Sequence, residues 1–149
     1  MLKAKDIMTK DVITVKPATT IEDLAHILIK HNISGAPVVN DDGALIGIVT
    51  ENDLISKNKR LHIPTVMRLF DAYIMLESPA TIEREIRRMA AVTVNDICTK
   101  EVVSVSEETT VEELATTMSE KKAYLLPVVA GGKITGIIGK MDLIKGIAG

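Results

Sequence analysis

Residues 43–55 read GALIGIVTENDLI, and residues 132–144 read GKITGIIGKMDLI. The two stretches share Gly, Gly-Ile and Asp-Leu-Ile at matching positions. Working outward, PVV at 37–39 meets PVV at 127–129, and ATTIEDLA at 18–25 meets ETTVEELA at 108–115. Further upstream, KDIMTKDVITV at 5–15 meets NDICTKEVVSV at 95–105. Twenty positions of these stretches are identical, and the order of the matches is kept. The chain is therefore a duplication. Each unit is about 50 residues, small for an independent core, so the two are expected to pack on each other.

Each unit reads as strand, helix, strand, strand, helix. Val12-Ile13-Thr14-Val15 is a β-branched run and predicts a strand. Thr19-Thr20 stands three residues before the acidic Glu22-Asp23, a helix-start signature that Thr109 and Glu112 repeat. Ile21, Leu24, Ala25, Leu28 and Ile29 then follow at helical spacing. Residues 36–39 and Leu45–Val49 predict two strands joined at Asp41-Asp42-Gly43, a turn matched by Gly131-Gly132. Helices are expected from Glu51 to about Lys57 and over Lys140–Ile147. This divides the chain into a first motif over 1–57, a spacer over 58–92 and a second motif over 93–149. In the spacer, Thr81 caps an expected helix with Ile82, Ile86 and Met89 on one face. Arg84, Arg87 and Arg88 read as a solvated face or, more sharply, as a phosphate contact from the spacer or a surface for an acidic partner. The apolar run 66–76 is expected to pack over the module edge or into a dimer interface, or to supply part of a ligand wall.

Composition narrows the function. The 149 residues carry 18 Lys+Arg and 20 Asp+Glu, a net charge of −2, which argues against a phosphate-neutralising nucleic-acid binder. Phe70, Tyr73 and Tyr124 are the only aromatics, too few for base-stacking strips. The single cysteine, Cys98, excludes an internal disulfide and a Cys-rich zinc site. It aligns with Met8, as a small apolar residue would, and not as a nucleophile. His26, His31 and His62 have no repeat partners, and no metal site is expected of them. The glycine-lysine pairs at 132–133 and 139–140 lack the remaining residues of a phosphate-binding loop. No stretch approaches the ~20 apolar residues of a membrane span, and the N-terminus lacks the apolar core of a signal peptide. The expectation is a soluble, cytoplasmic protein.

The chemistry of interest lies where the last strand enters the last helix. Thr50 and Asp53 put a hydroxyl and a carboxylate one turn apart on one face. A helix start offers free N–H groups to a phosphate, and a threonine hydroxyl adds a donor. A carboxylate accepts from the two vicinal hydroxyls of a ribose. Phosphate beside ribose describes a nucleotide. The same spacing also suits a simple helix cap. Gly47 marks a place where backbone or ligand approaches closely. In the second copy Asp142 recurs, but Gly139 replaces Thr50, and Lys140 offers a point charge for a phosphate.

These residues together resemble a tandem pair of CBS domains, the Bateman module. The resemblance rests on DIMTKDVITVKPATTIEDLA (6–25), SGAPVVNDDGALIGIVTENDL (34–54) and their second copies at NDICT (95–99) and LLPVVAGGKITGIIGKMDL (125–143). It covers about residues 4–57 and 94–147. It implies an α+β fold of two β-α-β-β-α motifs packed through their sheets with pseudo-twofold symmetry. It also implies that AMP, ADP, ATP, NAD or S-adenosylmethionine binds in the clefts between motifs. By that resemblance Thr50 meets phosphate, and Asp53 and Asp142 meet ribose. Lys140 is a further phosphate candidate beside Gly139. The implied base pocket comprises Ile13, Thr14, Val15, Ser34, Gly35, Ala36 and Pro37 in the first copy. In the second it comprises Val103, Ser104, Val105, Tyr124, Leu125, Leu126 and Pro127. Tyr124, in the place of Ser34, either stacks on a base or narrows its cleft. Aliphatic walls allow purine binding by a chain poor in aromatics.

No nucleophile–base–orienter set appears, so no enzymatic activity and no catalytic cofactor are expected. The chain reads as a stand-alone regulatory module for sensing an adenosine nucleotide, the cell's energy carriers among them. The resemblance implies a homodimer and an effector protein as partner. The competing reading is a structural dimerisation module with empty or degenerate clefts.

Overall fold

The computed structural model describes residues 1–60 and 92–149. The spacer helix, the three arginines and the apolar run 66–76 lie outside the described residues. In chain order the elements are α1 (Ala4–Ile7), α2 (Ile21–His31), β1 (Gly35–Val39), β2 (Leu45–Thr50) and α3 (Glu51–Arg60). The second copy supplies α4 (Val94–Ile97), α5 (Val111–Lys121), β3 (Leu125–Ala130), β4 (Lys133–Gly139) and α6 (Lys140–Ala148). The architecture is the expected α+β.

β1 pairs antiparallel with β2, from Gly35 opposite Thr50 to Val39 opposite Leu45. β3 pairs with β4 in the same way, from Leu125 opposite Gly139. Both hairpins carry a register shift at the equivalent place, after Val38 and after Val128. The expected first strand shrinks to one residue. Val15 donates to the Pro37 carbonyl at 3.0 Å and accepts from Val39 at 2.9 Å, a parallel bridge to β1. Extending that ladder back to Ile13 needs an N–H from residue 37, and proline has none. Pro127 imposes the same limit on Val105, which bridges Val128.

The helix caps fall one residue later than the second-copy spacing suggests. Thr20 accepts from the Asp23 N–H at 3.1 Å, and Thr110 accepts from the Glu113 N–H at 3.2 Å. Thr109 instead accepts from the Ser106 N–H. On α2, Leu24 and Leu28 are buried. Ile29 is 77% exposed, because it lies at one edge of the apolar stripe and the core takes Ile27 from the other.

The duplication folds by exchange. The first core gathers Val15, Leu24, Leu28, Ala36, Val38 and Val49 with Val94 and Ile97 of the second copy. The second gathers Leu114, Met118, Leu126, Val128, Ile138 and Leu143 with Ala4 of the first. Each short lead helix thus packs into the opposite core. Backbone bonds hold the exchange: Ala4 donates to the Thr109 carbonyl at 2.7 Å, and Val94 donates to the Thr19 carbonyl at 2.8 Å. The segments that follow add an edge to the opposite hairpin. Thr9 and Ile137 exchange a pair of hydrogen bonds, as do Ile48 and Thr99. These reciprocal contacts are those of a pseudo-twofold axis. The axis also brings Ala44 to Lys133 and Gly35 to Leu125, so the motifs meet along their sheets.

Gly47 is required by this arrangement. A Cβ there would lie 3.1 Å from both the Thr99 carbonyl and the Cys98 Sγ. The close approach foreseen at Gly47 is thus to protein. Gly136, its equivalent, faces Met8, and a Cβ there would collide with that side chain. Cys98 and Met8 fill equivalent places against the two sheets, and burial pushes the Cys98 thiol up, away from a reactive thiolate.

Candidate functional site

Each hairpin opens at the end where its last strand runs into a helix. At the first mouth, Gly35 and Thr50 face each other across the strands. The Thr50 backbone N–H donates to Asp53 Oδ2 at 2.9 Å, and its hydroxyl lies 3.4 Å from the same oxygen. The hydroxyl and the carboxylate therefore share one face, as their spacing foretells, and the Asp53 carboxylate caps the Thr50 N–H at the start of α3. Both are half-buried. Ser34, at the rim, is exposed, and its carbonyl accepts from the Glu51 N–H at 2.8 Å.

At the second mouth, Leu125 faces Gly139. Asp142 Oδ2 accepts from the Gly139 N–H at 2.9 Å, and Oδ1 accepts from the Thr9 hydroxyl at 3.3 Å. Both of its oxygens are engaged by protein. Thr9 comes from the opposite copy. It stands among the repeated residues, but nothing in the sequence marks its reach to Asp142. Lys140 Nζ sits 4.4 Å from the centroid of the Tyr124 ring, a cation–π contact. The residue read for phosphate and the residue read for base stacking thus hold each other.

The mouths touch at the pseudo-axis. A Cβ on Gly35 would lie 2.9 Å from Leu125 Cδ2 and 2.6 Å from the Val49 carbonyl. Gly35 is therefore where the first sheet yields space to Leu125. The remaining pocket residues divide by burial. Val15, Ala36, Pro37, Leu126 and Pro127 are buried in the sheets and their cores. Ile13, Val103, Val105 and Leu125 are half-buried, while Thr14, Ser34, Ser104 and Tyr124 are exposed. β1 is buried along its whole length, and so is the middle of β3, because both strands run through the cores.

Elsewhere, a shallow depression of about 550 Å³ lies at the start of α5, lined by Met1, Thr110, Glu112, Glu113, Thr116 and Thr117. Its two carboxylates disfavour an anion, and it includes none of the mouth residues. Among the described residues no group of three or more His, Cys, Asp or Glu could hold a metal, and no helix is long and apolar enough to cross a membrane.

Two exchanged α+β half-units with paired mouths define the class of this protein: a duplicated module. It belongs to the CBS domain family, whose model matches residues 4–60 and 94–149 as two copies. The chain is 29% identical to an uncharacterized protein of Methanocaldococcus jannaschii, covering 96% of this chain and 89% of that one. It spans between 41% and 61% of several other curated relatives. Among solved structures it resembles an Arabidopsis thaliana CBS-pair protein in complex with AMP, at 26% identity and a TM-score of 0.74. That match covers 99% of this chain and 97% of the other. It also resembles a CBS domain pair in complex with 5′-methylthioadenosine and S-adenosyl-L-methionine, at 26% identity, a TM-score of 0.72 and the same coverage.

Proposed function

We propose that this chain is a regulatory module that senses an adenosine-containing ligand between its motifs. The observation that carries the reading is the first mouth. A hydroxyl, a carboxylate and the N-terminus of α3 stand together at Thr50 and Asp53, beside the buried Gly35. Thr50 and the α3 start suit phosphate, Asp53 suits the ribose hydroxyls, and Ile13 and Leu125 offer aliphatic walls to a purine. The AMP and S-adenosyl-L-methionine complexes of the two similar structures support this ligand class. The ligand is regulatory, and the reading assigns the chain no catalytic step. Binding would favour one relative orientation of the motifs, which an effector protein reads in the cytoplasm. Ile55 on α3 and Met141 and Ile144 on α6 are exposed apolar side chains, and they support assembly as a homodimer.

Calorimetric titration with AMP, ADP, ATP, NAD and S-adenosylmethionine tests the reading. At least one is expected to bind with a Kd below about 1 mM, and the absence of all five sinks it. The second reading, a structural module with closed clefts, is favoured at the second mouth alone, where Lys140 rests on Tyr124 and both oxygens of Asp142 accept from protein. Mass spectrometry of ligands that co-purify with the protein separates the two.

A further inference from the structure

We infer that the two mouths are unequal binding sites, and that Tyr124 and Lys140 are the residues that hold the second one shut. The inference rests on the adenosine-ligand reading and adds to it a stoichiometry and a gate.

Four observations converge. Tyr124 stands where the first mouth has Ser34, and Lys140 stands where it has Glu51. Their side chains close on each other, with Nζ 4.4 Å from the ring centroid. The donor that Thr50 offers at the first mouth is missing at Gly139. Both oxygens of Asp142 are already hydrogen-bonded, one of them by Thr9 of the opposite copy. Leu125 occupies the space beside Gly139, with Cδ1 3.9 Å from where a Cβ would stand.

A ligand entering the second mouth must draw Lys140 off the ring, and it meets an Asp142 carboxylate whose two oxygens already accept from Gly139 and Thr9. Loss of the cation–π contact alone lowers affinity about two- to fivefold. The missing hydroxyl, a donor to a charged oxygen, lowers it by roughly a further tenfold. The first mouth meets neither penalty. Lys140 also sets the terms of opening: only a ligand with an anionic group repays its departure from the ring.

The closure is built from side chains that can be exchanged without disturbing the fold. Tyr124 is 48% exposed. At Gly139, φ is −102°, and a Cβ would meet nothing nearer than 3.8 Å. Tyr124→Ser with Gly139→Thr therefore rebuilds the first-mouth pattern in the second.

The experiment is calorimetric titration of the full chain with AMP, with the melting temperature as a control for folding. The wild type is expected to take one AMP per chain, any second equivalent being at least about tenfold weaker. Asp53→Ala weakens that single equivalent about a hundredfold. The Tyr124→Ser/Gly139→Thr variant is expected to take two, and to keep one when Asp53→Ala is added. Two wild-type equivalents within tenfold of each other overturn the inference and leave the adenosine reading standing. So does a folded double variant that still takes one. A wild type that gives no heat with AMP overturns the inference together with the phosphate-binding form of the reading beneath it.

Discussion

The first and second motifs share their interior and differ at their mouths. Leu24 matches Leu114, Leu28 matches Met118, Val38 matches Val128 and Val49 matches Ile138, all buried. At the mouths, Ser34, Gly35, Thr50 and Glu51 face Tyr124, Leu125, Gly139 and Lys140. The two copies distribute bulk in opposite ways. The first pairs a glycine on the inner strand with a threonine on the outer; the second pairs a leucine with a glycine. Packing explains the contrast. The interior must be filled to crystal-like density in both copies. The mouths lie on the pseudo-axis, where Leu125 fits only because Gly35 is bare. Exact symmetry at that point would put either two leucines or an empty gap in one place.

The largest effect tests the shared interior. Leu24→Ala and Leu114→Ala should each destabilise by about 3 kcal/mol in chemical denaturation. Because each core borrows a lead helix from the other copy, both variants should unfold in a single transition. Separate transitions for the two halves would show that the exchanged helices do not couple them.

The next effect tests the mouths. Asp53→Ala should weaken the first equivalent of nucleotide about a hundredfold, through the lost hydrogen bonds from the ribose hydroxyls to its charged carboxylate. Asp142→Ala should change that equivalent less than about threefold, since its carboxylate serves Gly139 and Thr9. Similar losses from both would make the mouths equivalent.

Two glycines sharpen the contrast further. Gly47→Ala should cost about 2 kcal/mol, because the new methyl presses on the Thr99 backbone 3.1 Å away. Gly139→Thr should stay within about 0.5 kcal/mol, since its site is open and threonine caps a helix about as well as glycine. Thermal melts of the two variants measure the difference.

The smallest effect concerns how the lead helices are tied. Lys3 and Lys5 both pair with Glu108, at the head of the second motif, while the first has Ala18 in that place. Hydrogen bonds from the two lysines hold the Glu108 carboxyl down at about 2, from an ordinary 4.5. A depressed carboxylate stabilises the fold above its unfolded value and loses that contribution as pH falls. Glu108→Gln should therefore lower the melting temperature slightly at neutral pH, and the gap to wild type should close between pH 4.5 and about 2. The groups are exposed, so 1 M salt should also shrink the gap. A gap that persists at pH 2 would mean the pairing is not its source.

Repetition made most of the secondary structure legible. The spans of α2, β1, β2 and α3 and of their second copies follow from periodicity, caps and turn glycines. The β-branched run at 12–15 predicts a strand that the fold cuts to Val15, because its partner edge carries Pro37, a long-range fact that the run does not encode. The lead helices are too short for a periodic signal, although Thr93 three residues before Asp96 is a start signal, with the Thr93 N–H donating to Asp96 at 2.8 Å. At the site, Thr50 and Asp53 were legible because a helical turn brings i and i+3 together wherever the helix sits.

By itself, the sequence determined the duplication, the alternation of helix and strand, and the local pairing of hydroxyl with carboxylate. These depend on propensities and spacings within a dozen residues. The tertiary structure alone decided which copy each lead helix packs against, that Thr9 reaches Asp142, and that Lys140 rests on Tyr124. Two copies of one pattern are equally complementary to either core, so the pattern cannot say which it will enter. Only the closed geometry of the whole chain selects the partner.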